Sequence, residues 1–138
     1  MNKLEDRIFN SGVIVADENY ISEGYFIVSK QFLESDVLKQ YTNYKSTMAD
    51  TMSKIPYEKG EHWDLPDTVE LLPWKSFLFV YNEEYGFSYE FIELFQDKFN
   101  FLEYYTVNVN WGGNNQTPAL KIFSENEFVG FIMPAKRK

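Results

Sequence analysis

The fold class follows most directly from residues 86–133, which read GFSYEFIELFQDKFNFLEYYTVNVNWGGNNQTPALKIFSENEFVGFIM. Ser88 is a residue type that commonly caps a helix N-terminus, because its side-chain oxygen accepts a backbone N–H of the first turn. The apolar residues after it recur at the spacing of one helix face. They are Phe91, Ile92, Leu94 and Phe95. The pattern predicts a capped amphipathic helix.

Three predicted strands follow this helix. Residues 105–111 alternate strictly between apolar and polar side chains, which is the period of a half-buried strand. The apolar runs 119–123 and 128–133 are predicted strands that a polar turn at residues 124–127 connects. A helix followed by three strands on short connections favours an antiparallel sheet, so the expected fold class is α+β.

The first half of the chain extends this α+β prediction. Residues 12–29 are typical of a β-hairpin or meander, and an apolar pattern beginning near Gln31 predicts a further helix. Residues 55–67 contain two prolines and the only histidine, and we expect a loop there. Two strands are predicted within residues 68–81. With no internal repeat visible, we expect antiparallel sheets with two helices in a single domain, residues 1–138.

The composition excludes several classes of site. The chain has no cysteine and one histidine, which excludes disulfide scaffolds, thiol catalysis and multi-histidine metal triads within one chain. A formal net charge of -8 makes the average surface repel DNA and anionic membranes. No apolar run approaches a membrane span, and residues 1–7 lack the apolar segment of a secretion signal. We expect a cytoplasmic protein without membrane association, cofactor or bound metal.

Aromatic residues are unusually frequent, at 19% of the chain. Aromatic rings favour strands and bury large areas in protein cores. They are also enriched where proteins bind each other. The sequence leaves open whether some of these rings form a surface for a partner.

The proline-bounded loop holds the candidates for metal binding or acid–base chemistry, which are Glu61, His62 and Asp64. Histidine and carboxylates together bind divalent cations, and histidine titrates near neutral pH. Their spacing fixes no coordination geometry, and a solvated acidic loop accounts for the same residues. A small enzyme that uses His62 is therefore one hypothesis among three.

The order of elements over residues 86–138 resembles part of a known family. A capped helix is followed by a strand, by a second strand with Thr117-Pro118 at its entry, and by Ile132-Met133-Pro134 near the end. This order resembles the last half-domain of the bacterial sliding clamp, the ring-shaped processivity factor of the replicative polymerase.

The resemblance implies two helices packed against two antiparallel sheets. In the clamp family the last strand and tail line a groove that receives short linear peptides from polymerases and repair proteins. Carried over by position, the groove candidates are Ile132, Met133 and Pro134, and Ala135 stands where the family has a second methionine. Flexible methionine beside rigid proline suits an adaptable apolar pocket. The alternative is that Met133 and Pro134 merely end a strand.

Two binding functions remain open beside the enzyme. The first is a non-enzymatic clamp-like interaction domain with a protein partner from DNA replication or repair, which reaches DNA only as a homo-oligomeric ring. A ring predicts cations on its inner helices, and the candidates are Lys30, Lys39, Lys45 and Lys54. The second is a small acidic phage-type inhibitor or DNA mimic, whose carboxylates occupy the cleft of a nucleic-acid-processing enzyme.

Overall fold

The computed structural model of this chain describes residues 2–11, 15–16, 18–34 and 52–137. Helix α1 spans Lys3–Phe9, a 3-10 helix spans Lys30–Phe32, residues 52–54 are helical, and α2 spans Tyr89–Lys98. The strands are β1 (Val15–Ala16), β2 (Tyr20–Ser22), β3 (Phe26–Ser29), β4 (Glu61–His62), β5 (Val69–Leu71), β6 (Phe77–Val80), β7 (Tyr85–Ser88), β8 (Leu102–Asn110), β9 (Gln116–Ser124), β10 (Glu127–Ile132) and β11 (Ala135–Lys136).

The described strands form two antiparallel sheets. The larger has seven strands in the order β1-β2-β3-β10-β9-β8-β4, and the smaller has four in the order β11-β7-β6-β5. The expected α+β class with antiparallel sheets is therefore confirmed. The short connections between β8, β9 and β10 are those that the alternating and apolar runs predicted.

Helix α2 begins where the sequence predicts. Ser88 Oγ accepts a hydrogen bond from the Phe91 N–H at 3.2 Å, which satisfies a donor that the first helical turn leaves free. The helix buries Ile92 and Phe95 completely and turns Glu93 to solvent. Its apolar face thus fixes α2 on the core.

Helix α1 is a feature that the sequence analysis missed. Asn2 caps it, because the Asn2 side chain accepts the Glu5 N–H at 2.9 Å. Leu4 and Ile8 are fully buried, and the Glu5 carboxylate, also buried, accepts a hydrogen bond from Lys98 at the end of α2. These contacts hold the two helices side by side.

Each of the two helices is followed along the chain by a unit of three strands, and the two units are arranged alike. Helix α1 precedes the strands β1-β2-β3 and α2 precedes β8-β9-β10, and the units meet where β3 pairs with β10 at Ile27 and Phe131. The strand order is the same on both sides of that pair when it is counted from the centre outwards. A structural repeat is therefore present although the sequence shows none.

Alternating side chains of the larger sheet build two apolar clusters. Phe26 and Val28 of β3 belong to the main core between this sheet and the helices, whereas Ile27 between them belongs to a second cluster on the opposite face. The second cluster is partly covered by Met52 and Ile55. Burial on both faces fixes the strand register.

The predicted helix that begins near Gln31 is only partly within the described residues. The chain forms a single 3-10 turn over Lys30–Phe32 and has left it at Leu33. Residues 35–51 lie outside the described part. No helix among the described residues is both long enough and apolar enough to cross a membrane.

Candidate functional site

A depression of about 390 Å³ lies between the smaller sheet and the first turn of α2. Aromatic side chains line it, and several remain largely open to solvent. Tyr25 is 64% exposed, Trp74 is 59% exposed and Phe77 is 48% exposed. Tyr89 and Phe91 of α2 complete the aromatic wall. We call this the aromatic depression.

The β5–β6 hairpin positions Trp74. The Leu72 N–H donates to the Ser76 carbonyl at 2.8 Å, and Lys75 adopts a positive φ of 62° to close the turn between them. A residue at such a turn projects away from the sheet, which explains the exposure of the Trp74 ring.

The same hairpin carries an apolar face beyond the core. Val69 lies opposite Phe79 and Leu71 lies opposite Phe77, so these four side chains share one face of the smaller sheet. Phe79 is buried, whereas Val69, Leu71 and Phe77 are exposed. A face that is apolar where it is uncovered is typical of a surface that meets a partner.

Ring contacts hold the aromatic wall. Tyr25 stacks on Phe91 with ring centroids 6.1 Å apart, and the ring centroids of Tyr89 and Phe79 are 5.3 Å apart. A hydrogen bond from the Tyr89 hydroxyl to Glu93 raises the pKa of Tyr89 further above physiological pH, at which an ordinary phenol is already neutral. The depression therefore offers neutral, pre-positioned rings.

Arg7 closes the depression on the side of α1. Its guanidinium lies 5.3 Å from the centre of the Phe91 ring, and its Nη1 donates to Glu90 at 3.2 Å. Its Nε lies 3.6 Å from Glu23 Oε2 but, among the described residues, has no hydrogen-bond partner. Glu23 itself is buried and accepts the backbone N–H groups of Tyr25 and Phe26.

A second, more polar depression of about 760 Å³ adjoins the first. Arg7, Tyr25 and Glu90 line both, so the two depressions lie side by side, with an aromatic end at the smaller sheet and a polar end at α1. We call the pair the groove. A groove with apolar rings at one end and charged groups at the other suits an extended peptide.

The structure separates the four tail candidates. Ile132 is fully buried in the main core, and Met133 packs on the second cluster. Pro134 is half-buried, and Ala135 lines the aromatic depression. The tail thus borders the groove through Ala135, whereas the Ile132 side chain belongs to the core.

Glu61, His62 and Asp64 do not converge on one point. Glu61 and His62 are neighbours on β4 and project to opposite faces of the strand, and all three residues are exposed. His62 Nδ1 lies 3.7 Å from Asp64 Oδ1. Within the described ranges, no group of three or more histidine, aspartate or glutamate side chains is placed to hold a metal ion. Residues 61–62, predicted as loop, instead pair with β8.

Lys121 is a buried cation that the sequence analysis did not single out. It lies on β9 with 6% of its surface exposed, and its Nζ donates to the carbonyl oxygens of Pro56 and Glu58 at 2.5 Å and 2.7 Å. Burial lowers the pKa of Lys121. Its contacts explain its role, which is to hold the segment after residue 55 onto the larger sheet.

The exposed charges of α1 and α2 are mainly acidic. The carboxylates Glu90, Glu93 and Asp97 face solvent on α2, whereas Lys98 on the same helix pairs with buried Glu5. Of the lysines expected to form a basic stripe, Lys30 and Lys54 are described and lie on neither helix, and Lys39 and Lys45 lie outside the described residues.

The aromatic depression was not predicted because its residues come from five separate segments of the chain. A local signal for a contact residue existed at Pro73-Trp74-Lys75, where a tryptophan lies between two predicted strands. A tryptophan in a turn cannot pack into either strand's core face, so it is a candidate contact residue. Nothing local marks Tyr25 or Tyr89 as its neighbours.

Comparison with known proteins adds no relative: we found no matching family model, curated protein or solved structure.

Proposed function

We propose that this chain is a non-enzymatic, cytoplasmic interaction domain of the sliding-clamp type, which binds a short segment of a DNA replication or repair protein in the groove. The exposure of Tyr25, Trp74 and Phe77 around one depression is the observation that carries the proposal. Covering these solvent-exposed rings with a partner would stabilise the complex by about 25 cal/mol per Å² of apolar surface buried.

The geometry favours binding of an apolar side chain. Tryptophan and tyrosine dominate the energetics of protein interfaces because they bury large areas at little entropic cost. Here Tyr25 packs on Phe91 and Tyr89 packs on Phe79. These two side chains therefore lose little conformational entropy when a ligand binds. The Trp74 ring at the hairpin tip is the expected anchor.

Two features support the clamp-like part of the proposal. The resemblance implies two helices against two antiparallel sheets, and α1 and α2 lie side by side in a fold with two such sheets. The resemblance also implies a groove beside the tail, and Ala135 lines the aromatic depression.

The charge on the helices favours a protein ligand over DNA. A ring that encircles DNA needs cations on its inner helices, because DNA affinity comes largely from neutralised phosphates. The exposed carboxylates of α2 work against such contacts.

We therefore expect no retention of duplex DNA at roughly 0.15 M salt, where the Debye length is about 8 Å. Fluorescence anisotropy of a labelled duplex, with light scattering of the protein at several concentrations, measures both binding and assembly. A salt-dependent DNA complex formed by an oligomer would contradict this expectation and favour the ring.

The groove itself is tested with a displayed library of random short peptides. We expect selected peptides to contain an aromatic residue or leucine, and to lose about tenfold or more in affinity for the Trp74→Ala variant, as expected for removal of an interface anchor. Isothermal titration of the synthetic peptides gives the affinities.

The matched control is Phe101→Ala, which removes a ring that is 78% exposed and does not line the aromatic depression. Peptides that bind the two variants equally well, or a library that yields no binder, would contradict the proposal.

The acidic inhibitor is a second candidate, which the exposed Glu90, Glu93 and Asp97 of α2 favour. These residues place negative charge along one helix at spacings of three and four residues. A monomer that inhibits a DNA-binding enzyme in a salt-dependent way, and that loses inhibition when Glu93 and Asp97 become amides, would favour this function over the peptide groove.

A further inference from the structure

The charges around the aromatic depression differ in sign from those of the whole chain. Among the described residues that line it, Arg7 and Lys75 are cations and Glu90 is the carboxylate. The protein as a whole carries a formal net charge of -8. Buried Glu23 lies behind Arg7, 3.6 Å from its Nε, so Lys75 and the outward-facing part of the Arg7 guanidinium are the positive groups that the depression offers to a ligand. A ligand that brings a negative group to this place would complement them.

Within the described part of the chain, Glu90 is the hydrogen-bond acceptor that the Arg7 guanidinium contacts. A guanidinium presents five N–H donors in a planar fork, which matches the two oxygens of a carboxylate. Among the described residues, Nη1 donates to Glu90, and Nε is buried 3.6 Å from Glu23 Oε2, so a ligand in the groove would meet the Nη atoms and not Nε.

The contact between Arg7 and Glu90 is weak enough to be exchanged. The Glu90 side chain is 67% exposed, and an ion pair in contact with water contributes little to stability. Phe91 holds the Arg7 guanidinium in place from below at 5.3 Å, so the cation stays at the groove when Glu90 moves away.

We propose that the partner segment in the groove pairs an aromatic or leucine side chain with a nearby aspartate or glutamate. The apolar side chain lies among Trp74, Phe77 and Tyr89, and the carboxylate replaces Glu90 on the Arg7 guanidinium, with Lys75 as the second cation at the rim. This inference rests on the proposed function and adds the chemistry of the ligand to it.

The separation of the two subsites gives the selectivity. Apolar burial at the rings supplies affinity for many peptides, whereas the cation selects those with a carboxylate at the right distance. A peptide with asparagine at that position buries the same rings but leaves Arg7 with Glu90.

The probes are short acetylated and amidated peptides that carry one Phe and one Asp at several separations, each with an Asn counterpart. At the best separation we expect the Asp peptide to bind about tenfold more tightly than its Asn counterpart at low ionic strength, as one charge-assisted hydrogen-bonded pair permits. The preference decreases as salt is added, because the rim is exposed.

Two substitutions test the role of Arg7 in opposite directions. Arg7→Gln should abolish the Asp preference while the Phe-dependent affinity remains. Glu90→Gln should strengthen Asp peptides several-fold, because Arg7 no longer has to exchange a partner. Asp97→Asn makes the same change of net charge on an exposed position of the same helix and should leave the ratio unchanged.

Arg7→Gln also removes the cation next to buried Glu23, so circular dichroism checks that this variant is folded. Glu90→Gln gives a readout that does not depend on that check, because Glu90 is exposed.

The outcomes separate the inference from the proposed function. Equal affinity of Asp and Asn peptides, with binding that still requires Trp74, overturns the inference and leaves the peptide groove standing. An Asp preference that persists in folded Arg7→Gln, or an equal gain from Glu90→Gln and Asp97→Asn, also overturns it. Peptides that bind without regard to Trp74 overturn both.

Discussion

Gly130→Ala should destabilise the protein by about 3 kcal/mol, the upper part of the range for overpacked cores. A Cβ at residue 130 would overlap the Phe95 ring and approach the Ile27 carbonyl oxygen at 2.9 Å. Phe95 is fully buried and cannot move without shifting α2. The Ile27 carbonyl oxygen belongs to the backbone of the neighbouring strand β3, which is held by its pairing with β10. The midpoint of urea unfolding measures the loss, with an unchanged denaturant slope as evidence for a two-state transition.

The reason for this cost can be tested separately. Phe95→Leu removes part of the ring that the new Cβ would overlap. The double variant with Gly130→Ala should therefore lose less free energy of unfolding than the two single variants lose in sum. Gly113→Ala is the control, since a Cβ there meets no atom within 4 Å and only its φ of 57° opposes the change. A loss from Gly130→Ala no larger than that from Gly113→Ala would show that helix and sheet are not in close contact at this point.

Lys121→Met should lower the free energy of unfolding by about 2 kcal/mol, the size expected for losing hydrogen bonds from a charged donor. The carbonyl oxygens of Pro56 and Glu58 lose the Nζ donor, while methionine keeps the length and apolar stem of the side chain. Hydrogen exchange of residues 52–60 should accelerate more than that of β8 and β9. Lys54→Met, at an exposed position of the same segment, is the control.

The pH dependence of this effect has a definite sign. Burial lowers the pKa of Lys121 in the folded protein, whereas an unfolded lysine titrates near ~10.4. Between those two values the unfolded state binds more protons, so the free energy of unfolding of the unsubstituted protein rises with pH. Lys121→Met lacks this rise, and the stability gap between the two proteins should widen as pH increases towards ~10. A gap that stays constant over that range would be evidence against a lowered pKa.

The larger sheet illustrates what local sequence can predict. The predicted alternation matches the burial of β8 over residues 107–110, where the valines are buried and the asparagines are exposed, whereas Thr106, predicted on the polar face, is buried. Ser88 with Phe95 signals both the start and the buried face of α2. These signals depend on residues that are close together in the sequence, so they can be recognised before the fold is known. The same logic failed for α1, because a helix of seven residues is marginal alone and depends on Lys98 for the partner of its Glu5.

The candidate tail residues illustrate the limit for sites. Sequence alone treats Ile132 and Ala135 alike as members of one motif, but β10 has neighbours on both sides at Ile132, whereas Ala135 lies on an edge strand beside the depression. Which residue of a motif borders a groove depends on strand pairing, and strand pairing is a long-range property.

Chain order and side-chain periodicity were sufficient to establish an α+β protein with antiparallel strands, a capped second helix and an acidic, aromatic-rich composition. Only packing over long sequence separations brought Arg7, Tyr25, Trp74 and Tyr89 to one groove, with Arg7 and Lys75 as the cations beside its rings. The physical reason is that secondary structure responds to the pattern of adjacent residues, whereas a binding surface consists of side chains whose proximity depends on the burial of the whole core.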